Sequence, residues 1–248
     1  MEYQPDYSQR DPSLFNADRR RIKAAKIVSV IEDFLKSNLK TCICLDIGCA
    51  AGVNTNYLGS LVKESVGIEY DTVALKAAHA SKGSNVTFFS GDAMHLPFRN
   101  DIFDIVICNH IYEHVPDAQI LMNEIFRILK PGGICYFGAT NRFCIIEPHY
   151  NLWFLSWLPK PIANLYLLLL KRKVPYYETL KSYFGLRNLF SQFYITDYTI
   201  SIIMNPDQYH AIDMIEKQSL IRYIPRFFLT LLLPLIPTYI FVLVKPHK

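Results

Sequence analysis

The strongest constraint in the sequence is an alternation that runs from residue 41 to residue 140. Short apolar and β-branched runs at 41–47, 65–70, 86–90, 102–108 and 134–139 are separated by helix-spaced stretches at 57–63, 72–81 and 118–129. Strands that alternate with helices predict a parallel sheet covered by helices on both faces, with right-handed crossovers. The run at 102–108 is apolar throughout, as a strand covered on both sides requires. Lys130-Pro131-Gly132-Gly133 combines a cation, a proline and two glycines, which stops the helix at 118–129. A further helix is predicted over 19–40, and residues 1–20 read as a flexible or docking arm.

The alternation lapses after residue 141. Nine of the ten glycines precede that point, whereas both tryptophans, Trp153 and Trp157, follow it. Residues 1–141 carry 14 Lys and Arg against 16 Asp and Glu, and residues 142–248 carry 12 against 6, so a near-neutral first half meets a basic, apolar second half. With 51% hydrophobic and 19% charged residues, the chain is excluded from the disordered, collagen-like and coiled-coil classes. In the second half, 178–190 and 222–233 predict helices, and 193–204 and 239–244 predict strands. The apolar stretch 227–244 contains Pro234 and Pro237, so it reads as a short helix and a buried strand rather than a membrane span.

The six cysteines, Cys42, Cys44, Cys49, Cys108, Cys135 and Cys144, form no C-x-x-C pair and have no histidine at zinc-like spacing. They read as free thiols in a reducing cytoplasm, with no metal site. The polar, acidic start of the chain is unlike a signal peptide. A net charge of +4, with basic residues beside apolar runs, argues against a nucleic-acid partner.

Four successive strand ends carry polar groups. The first is Asp46-Ile47-Gly48-Cys49-Ala50-Ala51-Gly52, where small residues allow a tight turn and close approach of a ligand to the backbone. The second is Glu69-Tyr70-Asp71; a carboxylate there can accept both protons of a ribose diol, and Tyr70 can lie against a purine. The third is Gly91-Asp92-Ala93, whose acid can accept from an exocyclic amine, and the fourth is Asn109-His110. A pyrophosphate-binding turn would read G-x-G-x-x-G. Here the glycines are spaced G-x-x-x-G and preceded by Asp46, which would repel a pyrophosphate and attract a cationic amino acid.

These residues resemble the class I S-adenosylmethionine-dependent methyltransferases, in particular the branch of the ubiquinone and menaquinone methyltransferases. The resemblance covers about residues 41–140 and includes Leu45-Asp46-Ile47-Gly48 with Gly52, Gly67-Ile68-Glu69, Gly91-Asp92-Ala93, Leu96-Pro97-Phe98, Phe103-Asp104, Glu113-His114-Val115 and Leu129-Lys130-Pro131-Gly132-Gly133. It implies S-adenosylmethionine as cofactor. Asp46 and the turn Gly48, Ala50, Gly52 would hold its methionine end, Glu69 the ribose, Tyr70 the adenine face, Asp92 and the Ala93 amide the adenine edge, and Asn109 and His110 the methionine side. One departure is Ala50, where the family has glycine; alanine takes φ > 0 less readily.

The resemblance also implies an α/β, Rossmann-like, seven-stranded, mostly parallel sheet with an antiparallel last strand, helices on both faces and a helical lid after the fifth strand. The chain then divides into an arm and helix (1–40), a cofactor-binding core (41–141), an acceptor-recognition lid (142–190) and C-terminal strands with an apolar helix completing the same domain (191–248). His149 is the candidate general base, with Glu147 orienting it; both also read as structural contacts of the insert, and His110 and His114 are alternatives. The expected acceptor is a small molecule, glycan or lipid-linked group. Trp153, Trp157, Lys171-Arg172-Lys173, Arg222 and Arg226 predict either a lid packed on the core or peripheral contact with the cytoplasmic face of a membrane. The other functional class open to the chain is a non-catalytic cofactor-binding or membrane-associated assembly protein on the same fold.

Overall fold

The computed structural model describes residues 15–172, 174–216 and 219–247. Most of the arm read over 1–20, and Lys173, lie outside them. Helix α1 (Ala17–Leu35) is capped by Asn16, whose side chain accepts from the Arg19 amide. The core then follows as β1 (Ile43–Ile47), α2 (Val53–Gly59), β2 (Glu64–Glu69), α3 (Thr72–Ala80), β3 (Val86–Ser90), β4 (Phe103–Asn109), α4 (Ala118–Ile128) and β5 (Leu129–Thr140). Asp71 and Asp117 cap α3 and α4, each accepting from two amides of the first turn.

The lid comprises β6 (Ile146–Glu147), β7 (Leu152–Trp153) and α5 (Lys160–Leu169). The chain returns through α6 (Tyr183–Leu189), β8 (Tyr194–Asp197), α7 (Thr199–Met204), α8 (Arg226–Leu232) and β9 (Thr238–Val244). The main sheet has seven strands in the order β3-β2-β1-β4-β5-β9-β8. Strands β1 to β5 pair in parallel, and β9 is antiparallel to both β5 and β8. The chain runs outward from β1 to β3 and then returns to β4 on the other side of β1. That reversal opens a crevice at the carboxyl ends of β1 and β4.

Strand periodicity sorts the core into two layers. Phe103, Val106, Cys108, Cys135, Phe137, Tyr239 and Phe241 face α4, α6 and α8. Ile105, Ile107, Ile134, Tyr136, Ile240 and Val242 face α1 and α2. Each face supplies large apolar side chains, whose burial contributes about 1.5–3 kcal/mol apiece. The lid has its own small core of Leu155, Ala163, Leu167 and Tyr176. Among the described residues no helix is long and apolar enough to cross a membrane; Pro225 starts α8, and the chain turns at Pro234 before β9.

Four local expectations are corrected. Helix α2 starts at Val53, directly on the left-handed Gly52, rather than at residue 57. The stretch 193–204 is not one strand: it leaves the sheet after Asp197, whose carboxylate accepts the Thr199 amide and starts α7. The helix predicted over 178–190 is confined to Tyr183–Leu189; Ser182 caps it, and Lys181 before it is bridged to Asn141 instead. The helix predicted from 222 begins at Arg226, behind Pro225.

Candidate active site

A cavity of about 640 Å³ opens at the carboxyl end of the sheet, between the core and the lid. Its lower wall comes from Gly48, Glu69, Tyr70, Gly91, Ala93 and His110, and its upper wall includes His149, Tyr150, Arg172 and Glu178. That volume is in the range typical of small-molecule sites.

The turn after β1 follows from its small residues. Gly48 sits at φ +68° and Gly52 at φ +74°. A Cβ on Gly48 would overlap Ile111, so the approach to the cavity floor depends on a bare backbone there. Ala50 also adopts a left-handed φ, +49°, a conformation that costs alanine about 1–2 kcal/mol. Its amide donates to Glu69 Oε2 at 2.8 Å, and Glu69 Oε1 accepts from the Asp71 amide at 2.9 Å. One carboxylate thereby ties the glycine turn to the end of β2 and offsets the strain with a charge-assisted bond. Burial raises the pKa of Glu69, against the pull of those backbone donors.

Asp46 lies beneath this turn. It is buried, accepts from Thr55 Oγ1 at 2.7 Å, and has its pKa raised by burial to about 6. Asp92 closes the β3 end: Oδ1 accepts from the Met94 amide at 2.7 Å, and Oδ2 lies 2.9 Å from His95 Nδ1. Asn109 leans over Gly138, where a Cβ would collide with its amide oxygen. His110 follows at φ +58°, with Nδ1 3.1 Å from Thr140 Oγ1 and 3.4 Å from Glu113 Oε1.

Thus Gly48, Glu69, Tyr70, Ala93, His110 and His149 line the cavity, whereas Asp46, Ala50, Gly52, Asp92, Asn109 and Glu147 are not among its lining residues. Several lining residues escaped sequence reasoning. Lys23 arrives from α1, Thr140 from the end of β5, and Glu178 from the extended part of the lid after α5. Glu178 carried no local signal, because its partners lie far away in the chain.

The lid places two acids and a histidine over the crevice. Glu147 is fully buried; its Oε2 accepts the amides of His149 and Tyr150 at 2.9 and 2.8 Å, and Oε1 stands 2.7 Å from His149 Nδ1. The ring of His149 meets that of His114 edge-on, with centroids 4.8 Å apart. Burial works against protonation of His149, but the hydrogen bond and charge of Glu147, with Glu178 and Glu113 beyond, hold its pKa above the ordinary value. Burial raises Glu178, whereas His110, His114 and His149 overcome burial and lower Glu113.

Residues 45–137 match the family model described as a methyltransferase domain. The likeness to that family is confined to this segment. The domain supplies the glycine turn, Glu69, Ala93 and His110, and it ends before the lid that carries Glu147, His149 and Glu178. The chain is 32% identical over 124 residues to a demethylmenaquinone methyltransferase of Lactococcus lactis, covering 46% of this chain and 49% of that one. It is 29% identical over 124 residues to a ubiquinone biosynthesis O-methyltransferase of Psychrobacter cryohalolentis, covering 45% and 48%. The chain therefore spans about half the length of the curated relatives it matches. The plantazolicin methyltransferase BpumL, solved with a monoazolic desmethylPZN analog and SAH, superposes with a TM-score of 0.61 at 16% identity, over 98% of this chain and 91% of that one. At that identity the likeness establishes the fold of the methyltransferase domain and its surroundings.

Proposed function

We propose that the protein transfers a methyl group from S-adenosylmethionine to a hydroxyl of a small, apolar or lipid-linked acceptor of the quinone type. The observation that carries this reading is the position of the methyltransferase domain's glycine turn and Glu69 on the wall of one large cavity. The residues fit the cofactor. Glu69 accepts the Ala50 amide at Oε2 and the Asp71 amide at Oε1, and an ionised carboxylate has about four acceptor sites, so it can also take ribose hydroxyls. Asp46 and the Gly48–Gly52 backbone would hold the methionine end, Tyr70 would flank the adenine, Asp92 and the Ala93 amide would read its edge, and Asn109 and His110 would border the methionine. When bound, the cofactor supplies an electrophilic methyl on a sulfonium.

The chain's own residues contribute alignment and a proton acceptor. Glu147 engages Nδ1 of His149 and leaves Nε2 for the acceptor hydroxyl. That nitrogen would take the hydroxyl proton as the acceptor oxygen gains the methyl that the bound cofactor would supply. The names of the two quinone methyltransferases and the apolar lid support an acceptor of this class.

The outer face of the lid supports a peripheral membrane role on the cytoplasmic side. Ile162, Leu165, Leu168 and Leu169 of α5 are exposed together with Trp153 and Trp157, and Lys171 and Arg172 follow directly. Arg172 also borders the cavity, so an acceptor dissolved in lipid would have a short path to it. The six free cysteines accord with a reducing compartment.

Calorimetry with S-adenosylhomocysteine tests the reading: binding is expected, weakened at least tenfold by Glu69→Ala. No binding to the intact protein would refute it. Labelled donor should then place methyl label in the organic-extractable fraction of a cell extract. Pelleting with anionic liposomes, reduced by salt and by Lys171→Glu with Arg172→Glu, tests the membrane role.

A further inference from the structure

Two stretches of the second half carry no acid. Residues 148–177 hold four Lys and Arg and no Asp or Glu, and residues 217–248 hold five and none. Each stretch also exposes large apolar side chains. In the lid these include Leu165, Leu168 and Leu169 of α5, with Trp153. In the second stretch they are Phe227, Phe228, Leu231, Leu232 and Leu235, each between 47% and 69% exposed. Helix α8 is nevertheless anchored, because Leu229 and Leu233 are buried in the core beneath it. Only Arg226 and Thr230 interrupt its exposed side. Apolar patches of this kind mark an interaction surface.

Both stretches lead into the cavity wall. Helix α5 runs on to Arg172 and Val174, and α8 and the turn after it run on to Thr238; all three residues line the cavity. Asn141, fully buried where the lid begins, pins the two stretches together. Its side-chain amide donates to the Pro234 and Ile236 carbonyls at 2.9 Å each, and its Oδ1 accepts the Phe143 amide at 3.0 Å. The start of the lid and the end of the α8 segment therefore share one fixed frame, where β5 ends and β9 begins.

We propose that α8 is a second membrane-inserting element, which together with the lid seats the mouth of the cavity on an anionic bilayer. The proposal rests on the peripheral membrane role of the lid and adds a second point of contact. One contact leaves the protein free to pivot; two, held in register by Asn141, fix which face meets the lipid. Phe227, Phe228, Leu231 and Leu232 enter the boundary between headgroups and acyl chains, at the depth of about 5–10 Å usual for interfacial helices. Arg226 and Lys171, both exposed, meet the phosphates. The charge pattern selects this occupant. A two-fold contact pairs a surface with itself, so a second copy would set one acid-free basic rim against another. With its mouth on lipid, the cavity receives an apolar acceptor without passage through water.

Sedimentation of the full-length protein with vesicles of phosphatidylcholine and a minor share of phosphatidylglycerol is the first readout. Wild type should bind. Phe227→Ser with Leu231→Ser should weaken binding about tenfold or more, since two large apolar side chains no longer leave water. Both residues lie outside the cofactor site, so S-adenosylhomocysteine binding should stay as in wild type and confirms folding. Lys171→Glu with Arg172→Glu should weaken binding most at low salt. The second readout is depth. Both tryptophans of the chain lie in the lid, so Phe228→Trp in a chain carrying Trp153→Phe and Trp157→Phe reports on α8 alone. Its emission should shift to the blue with vesicles and be quenched by lipids that carry a nitroxide near the headgroup. Wild-type binding that the serine pair leaves unchanged, or emission that vesicles leave unchanged, overturns the role of α8 and spares that of the lid. Absence of wild-type binding overturns both. Equal binding to phosphatidylcholine alone overturns the preference for an anionic surface. A lipid-free dimer that the serine pair dissociates assigns the patch to a second copy and overturns the proposal.

Discussion

Replacing Asp46 with asparagine should stabilise the ligand-free protein while weakening the cofactor site. Asp46 is buried beneath the glycine turn, and Thr55 is its one side-chain hydrogen-bond donor among the described residues. Burial raises its pKa from 3.8 to about 6. A rise of about two units corresponds to about 3 kcal/mol against the charged form. The native state binds the proton more tightly than the unfolded chain, so this contribution is fully present below about pH 4 and is lost as pH rises through about 6. The carboxamide of the variant cannot ionise and retains an oxygen to accept from Thr55. The stability gap between Asp46→Asn and wild type should therefore widen by about 2 kcal/mol from about pH 4 to about pH 7. Urea unfolding followed by far-ultraviolet circular dichroism at pH 4.5, 5.5, 6.5 and 7.5 measures it; other titrating groups cancel in the difference. S-adenosylhomocysteine should stabilise wild type increasingly over the same range, because its ammonium favours the carboxylate, and should lose that increment in the variant. A pH-independent gap, or one that narrows with pH, would refute the reasoning.

Three further outcomes are expected. With His149 as base, the methyl-transfer rate should rise with pH at a midpoint above the ordinary histidine value, and Glu147→Gln should move that midpoint down by removing the paired charge; an unmoved midpoint would exclude the pair. Gly48→Ala should reduce thermal stability by about 1–3 kcal/mol and abolish S-adenosylhomocysteine binding, because φ is +68° and the new methyl meets Ile111; wild-type affinity would show that the turn is not a binding surface. Ala50→Gly should change stability by less than about 1 kcal/mol, since relief of the left-handed backbone is offset by unfolded-state entropy; the melting temperature checks it.

The central strands were legible because both faces of each are covered, which leaves a continuous apolar run whatever its neighbours. The strand order, and the antiparallel edge formed by β8 and β9, were not legible from periodicity, since hydrogen bonding between strands leaves no local mark; the family resemblance implied seven strands with an antiparallel last one, and only the structure gave the order. The split at Asp197 was missed because Thr199, Ile200, Ile202 and Ile203 are β-branched and favour strand locally. A capping carboxylate and packing on both layers of the core override that preference.

The site divides in the same way. By themselves, the residues at the ends of β1 to β4 determine a polar edge with a left-handed glycine turn, because turn geometry and strand ends are local properties of the chain. Glu69 was visible as an acid at a strand end. Its second task, holding Ala50 in a left-handed conformation, appears only when β1 and β2 lie side by side. The junction with the lid is wholly a product of tertiary structure. Glu113, His149 and Glu178 are separated by 36 and 29 residues along the chain, and no spacing rule links them. Only closure of the lid over the crevice removes their water and sets three carboxylates against the histidines. That desolvation leaves one oxygen each of Glu113 and Glu178 buried without a hydrogen-bond partner.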